Sequence, residues 1–125
     1  MIDFKNAEYL KLRPVSNDVF AQLVLPMFVG NEAIVQTFQG MRDGVVFTNM
    51  RVISINVQGV TGKKKDFTSL PYSKIQAFSV ETAGVIDLDS ELELWISGLG
   101  KIKFEFVSRA DVSAICRMIS SFVLR

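Results

Sequence analysis

Gly59-Val60-Thr61-Gly62-Lys63-Lys64 holds the residue types of a phosphate-binding loop, in which glycines let backbone N–H groups approach phosphate oxygens and a lysine neutralises them. The spacing does not serve that chemistry. Two residues separate the glycines where four are needed, and no Ser or Thr follows Lys63 to hold magnesium, so a strand-to-strand hairpin loop is the better reading. Lys63, Lys64 and Lys65 can still attract an anion, each contributing about 1 kcal/mol near an acidic bilayer, or can form a solvated loop that discourages strand pairing. Asp87-Leu88-Asp89-Ser90-Glu91-Leu92-Glu93 sets an acid at every second position and invites a calcium reading. Leu92 stands where a calcium loop turns on glycine, and Gly98 where it needs its last glutamate. Turn aspartates leading into the wet face of a strand are the simpler account.

What the chain lacks closes other chemistries. Without histidine there is no triad with a histidine base, no His-ligated zinc or haem and no histidine pH switch. The single cysteine, Cys116, can form neither an internal disulfide nor a thiolate cluster. Neither an enzyme activity nor a cofactor is expected. Fourteen Lys and Arg against 13 Asp and Glu leave a charge of +1, and no basic stripe is interleaved with aromatics, so nucleic acid is not an expected partner. The charge is nevertheless uneven. Residues 61–86 carry four Lys against two acids, residues 87–100 four acids and no base, and residues 101–125 five bases against two acids, which predicts a basic loop and an acidic one. Met1-Ile2-Asp3-Phe4-Lys5-Asn6 lacks the features of a secretory signal, so a cytoplasmic location is expected. The apolar stretch from Val19 to Val29 is broken by Gln22 and Pro26 and falls short of the roughly 20 residues of a transmembrane helix, so no membrane span is expected.

A chain of 125 residues can bury a core without disulfides or metals, and it reads as one mainly β domain. In the first 30 residues Val19, Phe20, Leu23 and Val24 follow a helical spacing, with Ser16 or Asn17 placed to cap the helix and Pro26 to end it. Residues 1–30 are therefore an expected helical extension of a domain spanning 31–125. From Glu32 the period is two, and strands are predicted near 33–39, 43–48, 50–57, 66–70, 74–81, 91–97 and 101–107. Leu92, Leu94 and Ile96 alternate with Glu91, Glu93 and Trp95, which puts the only tryptophan on the outer face, either exposed or covered by the N-terminal segment or a neighbouring subunit. Ser108-Arg109-Ala110-Asp111 fits a capping box and predicts a helix from about Arg109. Val112, Ile115, Cys116, Ile119, Phe122 and Val123 share one face of it, where Cys116 acts as a small hydrophobe.

Several segments together carry a family resemblance: Phe47-Thr48-Asn49-Met50-Arg51-Val52-Ile53, Gln58 to Lys64, Leu70-Pro71-Tyr72, Phe78 to Gly84 and Asp87 to Leu92. In this order, over about residues 30–124, the chain resembles the bacterial pleckstrin-homology-like domain family. The resemblance implies a seven-stranded barrel of two near-orthogonal antiparallel sheets capped by a C-terminal helix. It also implies a non-enzymatic scaffold, in a family whose members resemble makers of homo-oligomeric rings. Eukaryotic relatives of the fold bind phosphoinositides through basic residues around the first hairpin loop. The corresponding loop here, Gly40-Met41-Arg42-Asp43-Gly44, holds one Arg beside an Asp and lacks that cluster.

Two functions are open at this point. One is a module that assembles with itself into a ring through its sheet edges and N-terminal segment, with Phe20, Leu23, Leu25, Met27, Phe28 and Trp95 at the contact. The other is a peripheral module that holds an anionic lipid or other phosphorylated ligand through Lys63, Lys64, Lys65 and Lys74.

Overall fold

The computed structural model describes residues 12–82, 89–107 and 111–124. Among them the chain runs through β1 (Arg13–Val15), α1 (Ala21–Val24), a 3-10 turn at Leu25–Met27, β2 (Ile34–Gln39), β3 (Gly44–Thr48), β4 (Arg51–Gln58) and β5 (Lys64–Pro71). A second 3-10 turn at Tyr72–Lys74 leads to β6 (Ile75–Glu81), β7 (Ser90–Ile96), β8 (Gly100–Phe106) and α2 (Val112–Val123). Two antiparallel sheets result, one of five strands in the order β1-β2-β3-β4-β5 and one of three in the order β6-β7-β8. The seven expected strands are β2 to β8, each end within two residues of the span read in the sequence.

The alternation that predicts β7 and β8 is the alternation that builds the core. Leu92, Leu94 and Ile96 of β7 and Ile102, Phe104 and Phe106 of β8 turn inward against Phe38, Val45, Phe47, Val52 and Leu70 of the larger sheet. Ile115, Met118 and Ile119 of α2 join the same cluster, and Tyr72 stacks flat on Phe122 at 5.3 Å between ring centres. The C-terminal helix begins later than Arg109. Asp111 is its N-cap and accepts a hydrogen bond from the Ala114 N–H at 3.1 Å, since a carboxylate is a strong acceptor for the free amides of a first turn. The Ser108 end of the expected capping box lies outside the described residues.

The N-terminal segment departs most from expectation. Its helix is a single turn, Ala21–Val24, and neither Ser16 nor Asn17 caps it: the Ser16 hydroxyl accepts from the Asp18 N–H, and Phe20 leads the turn without a side-chain cap. Before that turn, β1 pairs with Thr37–Gln39 of β2, and Leu12 exchanges backbone hydrogen bonds with β8, donating to Glu105 and accepting from Val107, both at 2.9 Å. Residues 12–15 therefore tie one sheet to the other. A short extended segment gains more from two waiting strand edges than from an isolated helical turn.

Past β1 the segment covers the outer face of the five-stranded sheet. Phe20 and Val24 form a second core with Val46, Ile53 and Ile55, and Met27, Phe28, Ile34 and Phe67 pack around it. All five residues of β3 are consequently buried, with Val45 and Phe47 facing the main core and Val46 facing the cover. Gly44 makes this possible, because the Phe20 ring occupies the space a Cβ there would take. One polar cluster pins the cover. Arg51 grips both oxygens of Glu32, Nε to Oε2 and Nη2 to Oε1 at 2.8 Å each, and also donates to the Met27 carbonyl at 2.8 Å and the Ser69 hydroxyl at 3.1 Å. Thr48 Oγ1 and the Val29 N–H donate to the same carboxylate.

Candidate interaction surface

The β4–β5 hairpin carries Lys63, Lys64 and Lys65, all exposed, around a turn in which Gly59 and Gly62 take positive φ. The β2–β3 hairpin lies beside it. Arg42 Nη2 donates to the Gly59 carbonyl at 2.6 Å, and the Asp43 carboxylate accepts from the Val57 N–H at 2.9 Å, so the two loops are held as one unit. Each loop ends on a bare apolar side chain, Met41 at 99% and Val60 at 103% relative exposure. Lys65 folds back to the Gly62 carbonyl at 3.1 Å. Lys74 does not belong to this patch. It ends the turn after β5, and the eight-residue strand separates it from Lys63–Lys65 by on the order of 20 Å.

The apolar residues expected at a contact divide in two. Phe20 is buried, and Met27 and Phe28 are half-buried against the chain's own sheet, so their apolar surface is taken up within the molecule. Of the two surfaces open to them, their own subunit's and a neighbour's, these three cover their own, because Gly44 gives the Phe20 ring a seat there. Leu23 and Leu25 remain exposed on the cover, beside Val19 and Val29.

Trp95 is 45% exposed on the outer face of the three-stranded sheet, and it has not moved under the N-terminal cover. Register defines what surrounds it. Ala77, Trp95 and Lys101 form one row across the three strands, Ser79, Glu93 and Lys103 the next, and Glu81, Glu91 and Glu105 the third. Lys103 reaches diagonally to Glu91 at 3.0 Å, and Lys101 to Glu93 at 3.9 Å. The hydrogen bond that Lys103 donates to Glu91, with the Glu91 charge, holds the Lys103 ammonium above its ordinary pKa. Of the acidic turn expected at Asp87 and Asp89, Asp87 lies outside the described residues, whereas Glu91 and Glu93 do line the wet face.

Elsewhere, a groove of about 390 Å³ between β6 and α2 is lined by Val80, Thr82, Ser113, Cys116 and Arg117. Cys116 is half-buried there. Among the described residues no three His, Cys, Asp or Glu side chains gather as a metal site would require, and no helix is long and apolar enough to cross a membrane. Sequence reasoning missed Met41, Arg42 and Val60 as parts of the hairpin end. The available signal was an apolar residue inside each glycine-bounded turn, where solvent-facing side chains are the rule.

Comparison with known proteins agrees with this architecture. The matching family model is the bacterial PH domain, over residues 3–123. A DUF1696 family protein with a pleckstrin-homology domain from Shewanella loihica PV-4 is similar in structure, with a TM-score of 0.79 and 42% identity over 90% of this chain and 97% of that one. In Bacillus subtilis (strain 168), YjqA is 55% identical over 67 residues, which is 54% of this chain and about half, 54%, of its own length. YozO of the same organism is 30% identical over 81% of this chain and 87% of its own.

Proposed function

The chain belongs to the bacterial PH domain family, and from that premise we propose that it is a cytoplasmic, non-enzymatic interaction module that assembles with itself into a ring. The observation that carries this reading is the apolar surface left in water after both cores are filled. Leu23 and Leu25 stand out from the N-terminal cover, and Trp95 stands out from the opposite sheet. Clustered exposed apolar side chains mark contact surfaces. The outer strands β5 and β6 offer edges for further pairing, and a net charge of +1 opposes close packing of identical subunits only weakly. When contacting patches differ, the contact repeats head to tail and closes into a ring where its rotation allows.

Sedimentation equilibrium at micromolar concentration tests this. A mass that is a multiple of 14.0 kDa is expected, and a single species at 14.0 kDa overturns the reading. A second reading draws on the hairpin end: three exposed lysines beside bare Met41 and Val60 suit an anionic bilayer or a phosphorylated ligand. Cosedimentation with anionic vesicles at low and high salt tests it, and a protein that stays in the supernatant at low salt refutes it.

A further inference from the structure

We infer that the paired hairpin end of one copy docks on the outer face of the three-stranded sheet of the next, lysines against glutamates and Met41 and Val60 against Trp95. This rests on the self-assembly reading and names the two surfaces that meet.

The sheet face carries an excess of negative charge. In its third row Glu81 lies directly opposite Glu91, and Glu91 directly opposite Glu105. Like charges in directly opposed positions of an antiparallel pair repel. Lys103 neutralises Glu91 and Lys101 lies near Glu93, but the face as a whole carries four glutamates against two lysines. The paired hairpins have the reverse balance, with Arg42, Lys63, Lys64 and Lys65 against Asp43 and Asp66.

Apolar surface is distributed to match. The sheet face has Trp95 on β7 four residues from Glu91, or about 13 Å along the strand. The hairpin end has Val60 at its tip and lysines on the flank, with Met41 on the loop that the Arg42–Gly59 bond joins to it. Joining the two satisfies both charge and apolar exposure. A like-to-like contact of either patch would place equal charges together. A bilayer would satisfy the hairpin but leave Trp95 and the glutamate row as they are. Because the patches differ, the contact is head to tail, as a ring requires.

Two charge-reversed proteins test the assignment. One carries Lys63→Glu, Lys64→Glu and Lys65→Glu. The other carries Glu81→Lys and Glu105→Lys, which spares the Glu91–Lys103 pair. Each alone should lose the wild-type assembly and sediment at the chain mass of 14.0 kDa. Mixed in equal amounts they should reassociate into species of even multiples of that mass, since the intact hairpin of one meets the intact sheet face of the other and the two reversed patches are again opposite in charge. The mixed assembly should weaken at least tenfold between low salt and about 0.5 M salt. Melting curves establish that both variants fold. If either does not, Val60→Ser and Trp95→Ala replace them, each expected to weaken assembly at least tenfold.

Folded variants that keep the wild-type mass would overturn the docking and leave self-assembly to the Leu23 and Leu25 rim. Folded variants that do not pair on mixing would also overturn it. A wild-type protein that is monomeric in solution, yet sediments with phosphatidylglycerol vesicles through its lysines, would overturn the docking and the self-assembly reading together.

Discussion

Replacing Arg51 with Met tests how the N-terminal cover is held. The Glu32 side chain has no exposed surface and Arg51 only a fifth, so the pair is largely out of water. Arg51→Met removes both bonds to that carboxylate and those to Met27 and Ser69, leaving Glu32 with the Thr48 hydroxyl and the Val29 N–H. Breaking a buried pair from one side costs about 3–5 kcal/mol, and the partial exposure of Arg51 places this case near 3. Glu32→Gln keeps one acceptor oxygen but sets an NH2 donor against two of the donors and loses the charge, so about 1–3 kcal/mol is expected. With both changes together the loss should fall short of the sum by about 1 kcal/mol, as for residues in one network. Urea unfolding with an unchanged denaturant slope gives all three values. The pH dependence adds an independent check. Burial alone would raise the Glu32 pKa, but the hydrogen bonds from Arg51, Thr48 and Val29, with the Arg51 charge, outweigh it and hold the carboxyl below its ordinary value. A lowered folded pKa means stability that is complete above the unfolded value and is lost as pH falls through the folded one. The wild-type protein should therefore lose stability in acid more steeply than Glu32→Gln. An Arg51→Met cost below about 1 kcal/mol, or identical acid profiles, would refute the latch.

The remaining expectations concern packing and surface charge. Gly44→Ala should cost about 1–3 kcal/mol, because a Cβ there collides with the Phe20 ring. Combined with Phe20→Ala the cost should be less than the sum of the two, and strict additivity in chemical denaturation would show that the ring sits elsewhere. Phe104→Ala and Ile119→Ala should each cost on the order of 2–5 kcal/mol, since both side chains are fully buried in the main core. A near-neutral result for either would mean that α2 is not docked on the barrel. Changing Lys63, Lys64 and Lys65 together to Ser should leave the melting temperature almost unchanged, each exposed charge contributing at most about 0.5 kcal/mol. A large fall would show that the hairpin is packed rather than free.

The parts of the fold that could be read in advance are those whose signal is local. Glu91 to Ile96 and Lys101 to Phe106 betray their strands because burial alternates residue by residue. β1 carries no such signal. Arg13-Pro14-Val15 is too short to show a period, and it becomes a strand only because β2 offers it an edge and Leu12 finds another on β8. Phe20 with Gly44 and Glu32 with Arg51 are pairings between residues far apart in sequence, and no periodicity in either segment points to its partner. The hairpin end was half legible. A run of lysines is visible at once, whereas the Arg42–Gly59 bond that joins the loops bearing Met41 and Val60 depends on how those loops come to lie together. The exclusion of Lys74 could have been foreseen, since a strand of β5's length must carry it to the far end of the barrel.

How the outer face of the five-stranded sheet is covered bears on the kind of contact the proposed assembly would use. Val46, Ile53 and Ile55 are buried by the chain's own Phe20 and Val24, so that face needs no neighbour. Had the segment swung away, a broad apolar surface would have made folding depend on association, as in obligate dimers. Arg51 and Glu32 oppose that by fixing the segment at Met27, Val29 and Glu32 itself. What remains outside is smaller and more polar: a rim at Leu23 and Leu25, a tryptophan among glutamates and lysines, and a lysine hairpin with two apolar tips. Surfaces of this composition suit contacts that form between already folded subunits and respond to salt. The cover over the second core thus makes the barrel self-sufficient, and self-sufficiency leaves its charged faces available for reversible recognition.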